Sequence, residues 1–241
     1  MFFLLVVVQM SCVRKTVEPN TGSILVELDG VSVEAHWDDG DTFSWTDDSG
    51  SKHKARLSGF NTLESYGAVH SWGDWDPNEL ADVASQATVA AKSSPWKCHR
   101  TGSGGGYGRV LVDCPDLKAH LLSTGLAHAF SMDGPAPSPD MALQIDAIGR
   151  GVGMWAEGVP TYRDDSGEMT RGGVVTSLHS LDERAGDTAY NRVCDVMTGY
   201  CPSIEHTVNY QSCEWICLQG ACMLYVPYAH RYGQDRAACL R

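Results

Sequence analysis

Positive charge is scarce in this chain: 18 Lys and Arg stand against 30 Asp and Glu, a formal net charge of −12. Between residues 20 and 160 the imbalance is nine against nineteen. A protein that grips long duplexes without sequence preference needs a basic face, because its affinity comes from neutralising phosphates. The composition argues against that class and leaves room only for local basic residues in an acidic molecule. Long apolar runs are missing too. The run at residues 2–8 falls far short of the roughly 20 residues that span a bilayer as a helix. There is no internal repeat and no G-x-S-x-G. The glycine-rich stretch GSGGGYG (102–108) lies between two predicted strands, not between a strand and a helix, so it lacks the dinucleotide-binding context. The S-x-x-K spacing of SPWK (94–97) falls at a predicted helix end and carries no further signal.

The N-terminus reads MFFLLVVVQMSC. Its short apolar stretch has the length of a secretory h-region, although no Lys or Arg precedes it. Ser11 followed by Cys12 is similar to the end of a bacterial lipoprotein signal, which makes Cys12 a candidate for lipidation. The plainer reading is a frayed apolar strand. The expectation is export, either to the bacterial envelope through a lipid on Cys12 or as a secreted protein. Membrane contact is expected only through that lipid. Of nine cysteines, setting Cys12 aside leaves eight, six of them in the last 48 residues. Clustering of this kind in an exported chain reads as a disulfide framework. The rival is a zinc site, since Cys213, Cys217 and Cys222 have His206 and His230 nearby, though no C-x2-C pair is present. Cys98 and Cys114 lie on the two strands of one predicted hairpin and are expected to form a disulfide in an exported chain, the alternative being two core thiols.

Three strands, a helix, two strands and two helices are expected along residues 21–160. SILVELDGVSVEAHW alternates apolar and polar residues around Asp29-Gly30, a strong hairpin signal. DPNELADVASQATVAAKSS opens with Asp76 as a cap and Pro77 at the first helical position. WKCHR and RVLVDC flank the glycine loop. DLKAHLLSTGLAHAF gives a short helix ending near Gly125. SPDMALQIDAIGRG gives another, with Ser138 as cap and Gly151 after it. This order suits an α+β arrangement, a small five-stranded barrel packed against three helices. Residues 159–173 read as a linker. The remainder, within 161–241, reads as a small Cys-rich extension stapled to the outside. Residues 1–20 form the signal-like segment.

Several polar residues in two turns invite a chemical reading. Asp39, Asp41, Asn61 and Glu64 offer oxygen donors, which hard divalent cations prefer. Asp39 and Asp41 are two apart, so a regular strand would face both to one side. Arg56 adds a planar fork suited to phosphate oxygens. Arg109 follows the glycine loop and opens a strand. A metal, a carboxylate and two arginines are the parts that phosphodiester hydrolysis needs. The plain alternative is a set of solvated turn residues.

The motifs DGDT (39–42), RLSGFNTLES (56–65), YGR (107–109), LLSTGLAHA and GRGVGMW, in that order, resemble the staphylococcal nuclease (thermonuclease) family over residues 23–157. The resemblance implies an OB-type five-strand barrel with three helices and a calcium-dependent nuclease acting on DNA and RNA. It implies that Asp41, Asn61 and the carbonyl of Thr62 hold the metal, with Asp39 as an accompanying acid. Glu64 falls at the carboxylate assigned as general base, and Arg56 and Arg109 fall at the two catalytic arginines. Tyr107 falls at a substrate-binding tyrosine. The expected cofactor is Ca2+ or another divalent ion. The expected partner is single-stranded nucleic acid, acted on by a monomer.

The chain departs from the family pattern in three places. Asn61 stands where the best-known member has Asp, which removes one negative charge and should lower metal affinity. Leu63 replaces the proline of the usual TPE turn. The tyrosine pair that flanks the nucleotide is missing, with Ser131 and Asp133 near those places. Trp72, just after Glu64, is offered as a base-stacking residue, against the plainer reading that it packs the helix onto the barrel. The second functional reading is a catalytically silent barrel that binds nucleic acid or protein.

Overall fold

The structure is a computed structural model that describes residues 24–65, 69–103 and 106–241. The signal-like segment and Cys12 lie outside the described residues.

The chain begins with β1 (Ile24–Leu28) and β2 (Val31–Trp37), joined through Asp29 and Gly30, both at positive φ. That is the two-residue turn whose twist suits an antiparallel hairpin. Next come β3 (Thr42–Thr46), β4 (Lys52–Leu57), the short β5 (Phe60–Thr62) and β6 (His70–Ser71). Helix α1 (Pro77–Ala91) starts at a capping box, with Asp76 as cap and Glu79 reaching back to it. Its Leu80, Val83, Ala84, Ala87 and Ala91 face inward. Then follow β7 (Lys97–Ser103), β8 (Val110–Asp113), α2 (Pro115–Ser123), β9 (Ala127–Ala129) and α3 (Ser138–Arg150). Ser138 is the first residue of α3 rather than its cap, while Gly151 ends it in the left-handed conformation, as expected.

Strands β1, β2, β3, β4, β8 and β7 close into a barrel around Val26, Leu28, Phe43, Ala55, Leu57 and Val112. The barrel has six strands where the sequence suggested five. In the Asp38–Asp41 turn, between β2 and β3, the Asp38 N–H donates to Thr42 O at 3.0 Å. Two closures are parallel: β1 with β7 and β4 with β8. The glycines of STGLA and GRGVG lock α2 to the segment after α3. At Gly125 (φ +67) a Cβ would stand 2.2 Å from Val152 O, and at Gly153 (φ +57) 2.3 Å from Gly125 O. No side chain fits either place.

The region after residue 160 differs most from expectation. The supposed linker is a hairpin, β10 (Thr161–Arg163) with β11 (Met169–Arg171). After it come β12 (Gly173–Ser177), β13 (Ala189–Asp195), β14 (Ser203–His206), β15 (Glu214–Leu218) and β16 (Ala221–Tyr225). Strands β12, β13 and β14 form one sheet. Strands β15 and β16 form another, and its third strand is β6 from the first half of the chain. One apolar cluster joins Leu63, Trp72, Leu80, Met154 and Trp155 to Val174, Val193 and Tyr225. The extension therefore shares a core with the barrel's helices rather than sitting outside them. Four disulfides pair Cys98 with Cys114, Cys194 with Cys201, Cys213 with Cys239 and Cys217 with Cys222. These bridges engage all three cysteines of the zinc alternative, which they overturn.

Candidate active site

Alternation along β4 turns Ala55 and Leu57 into the barrel and leaves Arg56 on its outer face. Arg56 is in register with Thr42 across β3, and the Leu57 N–H donates to Asp41 O at 2.8 Å. The turn containing Asp41 therefore lies directly against the strand carrying Arg56.

Asp41 is buried and saturated with donors. Its Oδ2 accepts from the Thr62 N–H (2.8 Å) and the Thr62 hydroxyl (3.1 Å), and its Oδ1 accepts from the Thr42 hydroxyl (3.0 Å). The guanidinium of Arg56 pairs with Asp41 Oδ1 through one arm and donates to Asn61 Oδ1 through the other. Asn61 Nδ2 donates to Thr62 O at 3.1 Å. Asp39 Oδ1 accepts from the Asp41 N–H at 3.0 Å. Burial raises the Asp39 carboxyl above its usual range, and the Arg56 charge pulls it partly back. Gly40 lets this turn press on its neighbours: a Cβ there would meet Thr62 Cγ2 at 2.6 Å and Ala87 Cβ at 3.0 Å. The structure thus brings Asp39, Asp41, Arg56, Asn61 and Thr62 into one cluster.

Glu64 follows two residues after Thr62, and its N–H donates to His70 Nε2 at 3.0 Å. His70 is held by a strand far along the chain, since it pairs with Met223 of β16. Arg109 precedes β8, whose Val110 is in register with Ala55. By alternation Arg109 belongs to the same outer face as Arg56. Its Nε donates to Gly106 O at 3.2 Å, and Tyr107 stands 87% exposed at the loop tip beside it. Trp72 is a correction. It is 3% exposed, its Nε1 donates to Gly158 O, and its ring lies against Trp155. An apolar ring with its one donor satisfied inside the core is no stacking surface.

Two histidines went unnoticed in the sequence. His128 of β9 is in register with Asn61, and its Nδ1 donates to Ala129 O. Its Nε2 is buried with no hydrogen-bond partner. Burial lowers His128 to about 4, with the Arg56 charge also lowering it. Burial lowers His70 to about 3, with the His128 charge adding to the effect. Both are neutral at ordinary pH. Nothing in LAHAF or VHSW separates them from ordinary strand residues, because their environment is built by strands distant in sequence.

The donor set suits a hard cation: a carboxylate, an amide oxygen and a backbone carbonyl, with Asp39 beside them. It is thin in formal charge. Among the described residues no three His, Cys, Asp or Glu side chains gather as a metal-holding group. Arg56 supplies the positive charge between Asp41 and Asn61, so a divalent ion would take those oxygens with the guanidinium turned aside. The fit therefore holds with one condition, the movement of Arg56.

No protein-family model matches the chain, and no curated protein matches it. No helix among the described residues is long and apolar enough to cross a membrane.

Proposed function

We propose that the chain hydrolyses phosphodiester bonds of single-stranded nucleic acid, on an OB-type barrel of the staphylococcal nuclease kind. The observation that carries this reading is the contact of Arg56 with both Asp41 and Asn61, which puts a phosphate-binding fork against an oxygen-donor cradle. Glu64 is two residues from that cradle, and Arg109 opens the strand beside Arg56.

In this reading Arg56 and Arg109 donate to the non-bridging oxygens of the scissile phosphate and offset the charge that grows there. Glu64 takes the proton of the attacking water. The new P–O bond forms as the P–O bond to the leaving sugar oxygen breaks. A divalent ion on Asp41, Asn61 and Thr62 O would polarise a phosphoryl oxygen. Four disulfides support an oxidising setting, and so an exported protein at the envelope or outside the cell.

The second reading is a silent barrel that binds without cutting, and one observation favours it. Arg56 already neutralises Asp41, so the cradle has its cation. Turnover of a single-stranded oligonucleotide, in calcium and then in EDTA, separates the two. The nuclease reading expects metal-dependent cleavage that drops about 10²–10³-fold without a transition-state donor and about 10²–10⁴-fold without the general base. Wild-type rates in folded Glu64→Ala and Arg56→Lys variants, or no cleavage by the unaltered chain, would leave the binding module as the better account.

A further inference from the structure

The segment around Ser131 is docked against the extension. Ser131 bridges Tyr200, its N–H donates to Gly199 O at 2.9 Å, and the Cys201 N–H donates back to Ser131 O at 2.7 Å. This docking brings β13 alongside the residue before it, Phe130. The Phe130 ring then has a cation from each half of the chain: Arg56 at 5.9 Å from its centroid and Arg192 at 5.8 Å. Only one ring separates Arg192 from the candidate active site.

Arg192 belongs to a cationic and aromatic face. Tyr190, two residues away on the same side of β13, has Arg192 at 5.3 Å and Arg184 at 4.7 Å from its ring centroid. His179 packs on the same ring at 4.4 Å between centroids. Burial pushes His179 down to about 4, and the charges of Arg184, Arg231 and Arg192 add to this, against Glu183. The nearby acids leave the two arginines uncovered. Glu183 is engaged by the Tyr225 hydroxyl and the Tyr228 N–H. Glu205, in register with Tyr190, is exposed. Among the described residues neither Arg184 nor Arg192 makes an ion pair. This occurs in a protein of net charge −12.

One further observation points to a ligand. Arg192 is in register with Ser177 of β12. Arg192 donates to the Ser203 hydroxyl at 2.8 Å through one terminal nitrogen, yet its Nε is buried without a partner. The Ser177 Oγ is likewise buried without a partner. Two polar atoms at one register position, one of them on a cation, thus lack a protein partner, and an anionic acceptor would supply one.

We propose that the extension carries a second phosphate site, in which Arg192 and Ser177 hold a phosphodiester of the same single strand that Arg56 engages, while Phe130 and Tyr190 lie beside its bases. This deepens the proposed function and rests on it for the position of the cut. The chemistry suits an unstacked strand, because flat rings accept any base face and guanidinium groups track the backbone. It also accounts for binding by an acidic protein, since the basic residues are few but gathered.

The test is fluorescence anisotropy of labelled oligothymidylate and oligouridylate on the full chain in EDTA, across a salt series. Arg192→Gln is compared with Arg192→Lys, and Arg184→Gln is a second variant, away from Phe130, should the first fold poorly. Loss of one phosphate contact is expected to lower the slope of log affinity against log salt by about 0.7 for a single strand, with Arg192→Lys partly restoring it. In cleavage, Arg192→Gln is expected to raise KM more for a long strand than for a dinucleotide. Unchanged affinity and salt slope in both folded Gln variants would overturn the proposal, whatever cleavage shows. Absence of oligonucleotide binding by the unaltered chain would overturn it as well. Salt-dependent binding that weakens in the variants, in a chain that never cleaves, would uphold this site and remove the nuclease reading instead.

Discussion

Arg56 is the residue on which the proposed chemistry turns, because one guanidinium faces Asp41, Asn61 and the Phe130 ring. It competes with any cation for the same two oxygens. Arg56→Gln should therefore tighten calcium binding while it lowers cleavage about 10²–10³-fold. Calorimetric titration checks the first part, and weaker binding in the variant would contradict it. Asn61→Asp should also tighten calcium binding, since it restores a carboxylate to the donor set. His70 acts one step further out, as a positioning residue that holds the Glu64 N–H. Gln offers an acceptor at the same reach and Leu offers none. His70→Leu should thus lower kcat on the order of 10²-fold by misplacing Glu64, with KM little changed and His70→Gln largely rescued. A loss of equal size in both variants would mean that packing, not the hydrogen bond, is what His70 provides.

At the scale of elements, β6 links the two halves of the chain. It carries His70 just after the turn of Glu64, and it is the edge on which β16 pairs. Deleting residues 158–241 should therefore remove more than an appendage. It strips Val174, Val193 and Tyr225 from the cluster around Trp72 and Trp155, and frees the strand that anchors Glu64. The truncated chain is expected to lose cooperative unfolding, and a sharp native-like transition would refute this. The extension's disulfides should also differ in weight. The Cys213–Cys239 bridge spans 26 residues and Cys217–Cys222 spans five. Loop-closure entropy makes their removal cost about 3.5 and about 2 kcal/mol. Urea unfolding of the paired Cys→Ala variants measures both, and the reverse order would show that native contacts outweigh chain entropy here.

The molecule as a whole should be sensitive to mild acid. His70 and His128 are both buried, and their folded values of about 3 and about 4 lie below the ordinary 6.5. The unfolded chain takes up protons at these sites as pH falls through 6.5, and the folded chain does not until far lower. Stability is therefore full above about pH 6.5 and declines toward pH 4, by about 1.4 kcal/mol per pH unit for each histidine. Urea midpoints at pH 7 and pH 5 give the difference, and His70→Gln should reduce it to about half, leaving the His128 share. A midpoint unchanged between those pH values in the unaltered chain would rule this out.

The local signals in the sequence were enough for the main elements up to residue 160, though not for the strands after it. Alternation and Asp29-Gly30 marked the first hairpin, Asp76-Pro77 marked the start of α1, and even cysteine arithmetic marked the disulfides, with Cys98 on β7 and Cys114 just past the end of β8. The cluster of Asp41, Arg56, Asn61 and Thr62 was legible because its members lie close together along the chain, in the turn before β3 and on the successive strands β4 and β5, so short-range geometry almost suffices to join them. What escaped is what long-range pairing alone creates. No local pattern says that residues 70–71 will become the edge strand for residues 221–225, that Trp72 will be buried by that docking, or that Arg192 will share a ring with Arg56. A strand's periodicity states which of its faces is apolar, not which distant strand covers it. The tertiary structure made that choice, by bringing Val174, Val193 and Tyr225 into one core with Trp72 and Trp155, and so turned the cysteine-rich extension into part of the wall around the site.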